Sequence, residues 1–211
     1  DANGWESYFN SLRMAAGTAI VGTALMFVGA WLNEKTRGFG AVRGVVQLLA
    51  FLPMAVPGIV LGLGYIFFFN APNNPLNFLY ATMAILVINT VAHFYTVGHL
   101  TATTALKQID PEFESVSASL KVPIWKTFGR VTTPICLPSI LDIAIYLFVN
   151  AMTTVSSVIF LYAPDTKLAS VAAVNIEEAG TTAAAAALCL VIVVTSAAVK
   201  ALHLLADRFL L

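Results

Sequence analysis

Five stretches of this chain are long and apolar enough to cross a lipid bilayer, and this removes most of the folds open to a soluble sequence. A helix needs about 20 mostly apolar residues to span the hydrocarbon. The stretches run from about Leu12 to Leu32, Val45 to Phe69, Phe78 to Val97, Leu137 to Leu161 and Thr182 to Leu205. Only 10% of the 211 residues are charged while 59% are hydrophobic, whereas a soluble domain carries roughly a quarter of its residues as charges. Lipid must therefore be the solvent for most of the chain. The expectation is an all-α, polytopic membrane helix bundle with five transmembrane helices, read as a single domain over residues 1–211.

The connecting segments set the orientation. If the helices alternate, Lys35, Arg37, Arg43, Lys107, Lys121, Lys126, Arg130, Lys200 and Arg208 fall on one side, with Arg13 and Lys167 on the other. Cytoplasmic loops carry the excess of Lys and Arg. The first residue is then expected outside, and the C-terminus and the Asn33–Gly44 loop in the cytoplasm. The Asn70–Asn77 and Tyr162–Thr181 loops are expected outside. The chain starts at Asp1, with no basic segment preceding an apolar core as in a signal peptide. An outside start without a signal calls for one further helix upstream, so the domain is read as N-terminally incomplete.

Several function classes fall away. A formal net charge of zero argues against a nucleic-acid binder. Cys136 and Cys189 match no metal or redox spacing and read as small hydrophobes. No HExxH pair, GxSxG elbow or Cys–His pairing marks a membrane enzyme, and His93, His99 and His203 are scattered. No GxxxxGK[ST] loop is present for ATP hydrolysis. A secondary transporter would need an intramembrane ion site and normally an internal repeat, and neither is visible.

Polar and helix-breaking residues inside the stretches are candidate functional positions. Pro53 and Pro57 should kink the second stretch, since each lacks a backbone donor. Gly58 and Gly62 follow at the spacing that lets another helix approach closely, serving either a packing seam or a gate hinge. Asn89 and His93 lie four residues apart on one face with Thr96, either bonding between helices or lining a solute pathway. At about 100° per residue, Asn150, Thr153, Thr154 and Ser157 form a polar arc on the fourth stretch. Such an arc should face protein or water, because lipid cannot satisfy it. A pathway-lining role suits these small neutral groups, which hold a passing solute weakly. Asp142 near the start of that stretch reads as structural, and Arg13 can reach the outer interface.

The segment Gly98–Cys136 is the one long cytoplasmic element. Asp110 is a good N-cap, Pro111 suits the first helical position and Glu112 favours the positive end of the dipole. Phe113, Val116 and Leu120 recur at helical spacing, and Pro123 ends the helix near Lys121. A second short helix runs from Ile124 to about Thr132. This helix–turn–helix can lie on lipid headgroups or dock its apolar face into a soluble partner.

The stretch from Asp110 to Pro138 resembles the EAA loop of binding-protein-dependent ABC importer permeases. Glu114 stands at the motif's Glu, Ser115 and Val116 at its Ala-Ala, and Arg130-Val-Thr-Thr-Pro134 with Leu137-Pro138 at its end. Lys121 replaces the motif's Gly, at a left-handed helix end where a side chain should cost about 1 kcal/mol. Further stretches, Phe51–Gly58, Ser119–Pro123, Asn150–Ser156 and Phe160–Lys167, are similar to permeases of 2-aminoethylphosphonate importers. Iron(III), thiamine and polyamine permeases share the fold. The resemblance implies a multi-pass permease of the bacterial inner membrane with no cofactor of its own. It further implies a cytoplasmic subunit that binds ATP and Mg, a periplasmic solute-binding protein and a second permease domain, identical, paralogous or fused. ATPase coupling would fall to Phe113, Glu114, Val116, Ser117, Leu120 and Lys121. The solute pathway would fall to Asn150, Thr153, Thr154, Ser157, Asn89 and His93, and the hinge to Pro53, Pro57 and Gly58.

Overall fold

The computed structural model describes residues 2–35 and 40–210. Asp1, Arg37 and Gly38, used above for the start and the orientation, lie outside the described residues. All regular secondary structure among the described residues is helical, with no strand. In order they form α1 (Ala2–Lys35), α2 (Gly40–Ala55), α3 (Gly58–Phe69), α4 (Met83–His93) and α5 (Tyr95–Gln108). There follow α6 (Glu112–Ser119), α7 (Ile124–Ile135, with a π-helical stretch over Phe128–Thr132), α8 (Leu137–Thr153), α9 (Ala169–Glu178) and α10 (Thr182–Leu210).

α1 is the central helix. The residues Met14, Thr18, Gly22, Met26 and Ala30 repeat every four positions, so they form one ridge along it. Met14 packs in a cluster with Ile85, Leu86 and Met152, and Met26 and Ala30 in another with Ala102, Leu106, Ile143 and Leu147. Gly22 lets α4 and α8 close in: a methyl group there would lie 2.6 Å from Leu147 Cδ1 and 3.2 Å from Val91 Cγ2.

Among the described residues, only α1 and α10 hold unbroken segments long and apolar enough to cross a membrane, Gly4–Lys35 and Thr182–Ala206. The other three expected spans are bent helix pairs. α2 and α3 meet at 110°, α4 and α5 at 58°, and α7 and α8 at 73°. The first break falls where the prolines predict it. Pro57 has no N–H and biases Val56 away from helix, so α2 ends just before it while Pro53 is absorbed within α2. The α4–α5 break at Phe94 has no proline or glycine to announce it.

Three expected boundaries need correction. The expected cytoplasmic segment Gly98–Cys136 begins as transmembrane-type helix, because α5 continues to Gln108. The fourth stretch does not reach Leu161 as helix: α8 stops at Thr153, and residues 154–168 run irregularly through the bundle. The expected outer loop Tyr162–Thr181 contains α9, whose Ala169–Ala173 are buried against the core. Ser11 of α1 supplies the cap that Leu168 lacks, its hydroxyl oxygen accepting from the Ala169 N–H at 2.8 Å.

The helix–turn–helix forms as expected. Asp110 Oδ1 accepts from the Glu112 N–H at 2.9 Å, opening α6. At its other end Lys121 has φ +55°, the Val122 N–H reaches Ser117 O at 2.9 Å and the Lys121 N–H reaches Ala118 O at 3.1 Å. This is the paired bonding of a left-handed helix end, with lysine where glycine is favoured. Lys121→Gly should therefore stabilise the turn by about 1 kcal/mol. In hydrogen–deuterium exchange the Val122 amide should slow by about fivefold in that variant, whereas Lys121→Val should accelerate it.

Candidate solute pathway and coupling surface

Asn89 and His93 of α4 and Gly58 and Gly62 of α3 converge on the irregular segment that follows α8. Gly58 and Gly62 are spaced for helix contact but face Ser156 and Ser157 instead. A methyl group on Gly58 would lie 2.5 Å from Ser156 Oγ and 3.2 Å from His93 Cε1; on Gly62 it would lie 2.7 Å from the Ser157 carbonyl oxygen. Asn89 is fully buried, and its Nδ2 donates to that same carbonyl at 2.8 Å. The Thr154 and Ser157 hydroxyls are 3.2 Å apart, and Ser170 donates to the Thr154 carbonyl at 2.6 Å. Irregular backbone survives at membrane depth only when protein groups satisfy it in this way. Asn89 Oδ1 and His93 Nδ1 lack a hydrogen-bond partner.

The expected arc of four residues on one helix is thereby divided. Thr154 and Ser157 lie past the end of α8, buried against α3, α4 and α9. Asn150 and Thr153 remain on α8 and line a separate open cleft of about 730 Å3 between α5, α8 and α10. Sequence reasoning missed Tyr146 in this cleft and gave Asp142, also on its wall, only a structural role. Both sit one helical turn apart ahead of Asn150, a spacing that reading α8 backwards from Asn150 would have found. Thr96 takes no part in either place; it ties α5 to α2 by donating to the Ala50 carbonyl at 2.8 Å.

On α6 and α7 the apolar side chains stand outward: Phe113, Val116, Leu120 and Trp125 are exposed, Leu120 by 71%. Phe113, Val116 and Leu120 border a concavity of about 760 Å3 together with Lys121, Lys126 and Arg130. Ser117 also lines this concavity, its hydroxyl 2.5 Å from that of Thr127. Glu114 faces α1 rather than this surface, with Oε1 2.5 Å from Lys35 Nζ. A second pair, Lys107 Nζ to Glu34 Oε1 at 3.8 Å, ties the same end of α1 to α5.

Residues 25–210 match the family described as binding-protein-dependent transport system inner membrane component. The chain belongs to that family. This permease is 35% identical over 164 residues to the putative ferric transport system permease protein FbpB 1 of Haemophilus influenzae, covering 78% of this chain and 25% of that protein. It is 32% identical over 176 residues to ferric transport system permease protein FbpB of Actinobacillus pleuropneumoniae, covering 83% of this chain and 25% of that protein. With the putative 2-aminoethylphosphonate transport system permease protein PhnV of Salmonella typhi the identity is 25% over 181 residues, covering 83% and 65%. The chain thus spans about a quarter of the length of the two ferric relatives.

The same fold occurs in a bacterial alginate ABC transporter in complex with an alginate-bound periplasmic protein, with TM-score 0.79, 14% identity and coverage of 94% and 76%. It occurs also in the MetNI methionine ABC transporter, with TM-score 0.74, 12% identity and coverage of 99% and 93%.

The contact of α3 with the irregular segment gives a direct test. Gly62→Ala puts a methyl group against a backbone carbonyl and should destabilise the purified permease by about 1–3 kcal/mol. Gly64→Ala, with no atom within 4 Å, should be neutral or stabilising through helix propensity. A thermal melt of the two variants in detergent distinguishes them.

Proposed function

We propose that this permease forms a membrane pathway for a small solute and couples it to a separate cytoplasmic ATPase that docks on α6 and α7. The observation that carries the reading is the outward apolar face of Phe113, Val116, Leu120 and Trp125 on a capped helix–turn–helix flanked by lysine and arginine. Such a face fits a groove on a soluble partner. In this reading ATP and Mg belong to that subunit, and a periplasmic binding protein delivers the solute. The ferric relatives are about four times the length that the chain covers, which leaves room for a second permease domain in the same polypeptide.

Iron(III) is the solute best supported, because the ferric relatives at 35% and 32% identity are nearer than the aminoethylphosphonate relatives at 24–25%. The residue stretches similar to aminoethylphosphonate permeases keep that zwitterion as the second reading. The pathway candidates in this reading are Asn89, His93, Asn150 and Thr153, while Thr154 and Ser157 serve the wall that holds the irregular segment. Val56, Pro57 and Gly58 form the hinge.

Val116→Asp combined with Leu120→Asp should abolish co-purification of the ATPase from the full-length protein without changing membrane insertion. Retention of the subunit by that variant contradicts the docking surface and favours adsorption to headgroups. Glu114 acts from behind, through Lys35. Lys35→Glu and Glu114→Lys should each lower solute-stimulated ATP hydrolysis by about two- to fivefold, and the double exchange should restore it.

The proposed orientation puts α6 and the C-terminus in the cytoplasm and the α9–α10 turn outside. Gly180 has φ +84°, where a cysteine would be strained, so the probe belongs at exposed Ala179. Ala179→Cys, in a background lacking Cys136 and Cys189, should react with an impermeant thiol reagent added from the periplasmic side. Protection there, with reaction only after permeabilisation, reverses the orientation.

A further inference from the structure

We propose that the groove between the start of α1, the segment before α9 and the first turns of α10 binds one phospholipid, whose headgroup carries both a phosphate and an ammonium group. The site is separate from the solute pathway and from the coupling surface, and it holds under either orientation of the chain.

The groove has a volume of about 580 Å3, within the range of sites that enclose a small molecule. It lies in the first turns of both unbroken spans, Gly4–Lys35 and Thr182–Ala206. That is the interfacial depth of a bilayer that those helices cross. Its α10 wall is formed by Ala184, Ala187, Leu188 and Val191. These positions recur at helical spacing on one face and extend about 10 Å along the helix. Leu190 and Val194, beside Ala187 on α10, are exposed. The groove is thus open on its lipid side, and its apolar wall can guide an acyl chain.

The α1 wall has a different character. Trp5 and Tyr8 meet edge to face, their ring centroids 6.0 Å apart, and Trp5 is 60% exposed. Aromatic rings with a polar edge are the side chains that suit headgroup depth. The Tyr8 hydroxyl is 2.8 Å from that of Thr195. This contact ties α1 to α10 across the groove.

The charges decide the occupant. Glu6 and Lys167 are the charged residues lining the groove, and among the described residues neither has an ion-pair partner. Lys167 is half-buried and its backbone is held, because Asn10 Nδ2 donates to its carbonyl at 3.3 Å and to that of Asp165 at 2.8 Å. An apolar helix packed over the alanines would leave both charges unpaired at a membrane interface, which is costly. A zwitterionic headgroup offers a partner to each. Its phosphate would accept from Lys167 and from the Trp5 N–H, while its ammonium would donate to Glu6. An anionic headgroup without the ammonium would satisfy Lys167 but meet Glu6 as a like charge.

The test counts bound lipid on the full-length permease with its co-purifying subunits. After delipidation in detergent, phosphatidylethanolamine and phosphatidylglycerol with identical acyl chains are titrated separately and followed by native mass spectrometry. One site should prefer phosphatidylethanolamine by about fivefold, the order of a partly exposed ion pair. Glu6→Gln should remove the preference, Lys167→Met should weaken both lipids by about fivefold, and Ala187→Trp, which fills the groove, should abolish the site. Glu6→Gln and Lys167→Met remove no ion pair among the described residues, so they keep the test open if Ala187→Trp fails to fold. Equal affinities with Glu6 intact, a preference that survives Glu6→Gln, or affinities that Lys167→Met leaves unchanged overturn the proposal. So does a groove that takes up neither lipid, and a photo-crosslinker at Ala187 that captures a protein segment would then identify a helix as its occupant.

Discussion

A stretch of irregular backbone buried inside the helix bundle is the constraint on which the rest of this structure depends. Residues 154–168 leave the α-helical ladder, and much of the segment does so inside the bundle, where an unpaired backbone group is costly. Thr154, Ser157, Val158, Leu161 and Leu168 are buried all the same. Their neighbours must supply what the helix would have. Asn89 serves the Ser157 carbonyl, Ser170 the Thr154 carbonyl, and Asn10 the carbonyls of Asp165 and Lys167 at 2.8 and 3.3 Å. Ser11 then caps the helix that resumes the fold. The close approach of α3 follows, because only glycine at positions 58 and 62 lets that helix lie against the segment.

α1 connects this arrangement to the surface at the other end of the molecule. With 34 residues it is about 51 Å long. Near its start Asn10 and Ser11 hold the irregular segment, and at its end Glu34 and Lys35 hold α5 and α6. An unbroken helix with a packed ridge transmits displacement with little loss, since close-packed interiors yield little. A partner that moved α6 would move α1 through Lys35 and so bear on the wall beside Asn89 and His93. The bent pairs, by contrast, place breaks at Pro57, Phe94 and Cys136, where rotation costs least. Rigid and hinged elements are thus segregated within one bundle.

Much of this was legible from residues alone. Apolar run length gave the five membrane segments, and Asp110, Pro111 and Pro123 located α6 and its end, including the left-handed position at Lys121. The irregular segment was not legible, because residues 154–161 are as apolar as a span and helical periodicity continues through Thr154 and Ser157. What breaks the helix is tertiary: Asn89, Ser170 and Asn10 offer the backbone partners that sequence cannot display. For the same reason α9 was hidden in a presumed loop, its cap lying on α1, about 160 residues away in the chain. The inward turn of Glu114 was equally hidden, since only the fold brings Lys35 beside it.

The account rests on ATP-driven solute movement through this chain, and accumulation in sealed vesicles measures that directly. The full-length protein, reconstituted with its ATPase and binding protein, is loaded with internal ATP and offered labelled iron(III) or labelled 2-aminoethylphosphonate. The account predicts uptake of one of them, iron(III) by preference, above its external concentration, with ADP in place of ATP abolishing it. Accumulation that proceeds without ATP and collapses with a proton or sodium gradient would contradict it.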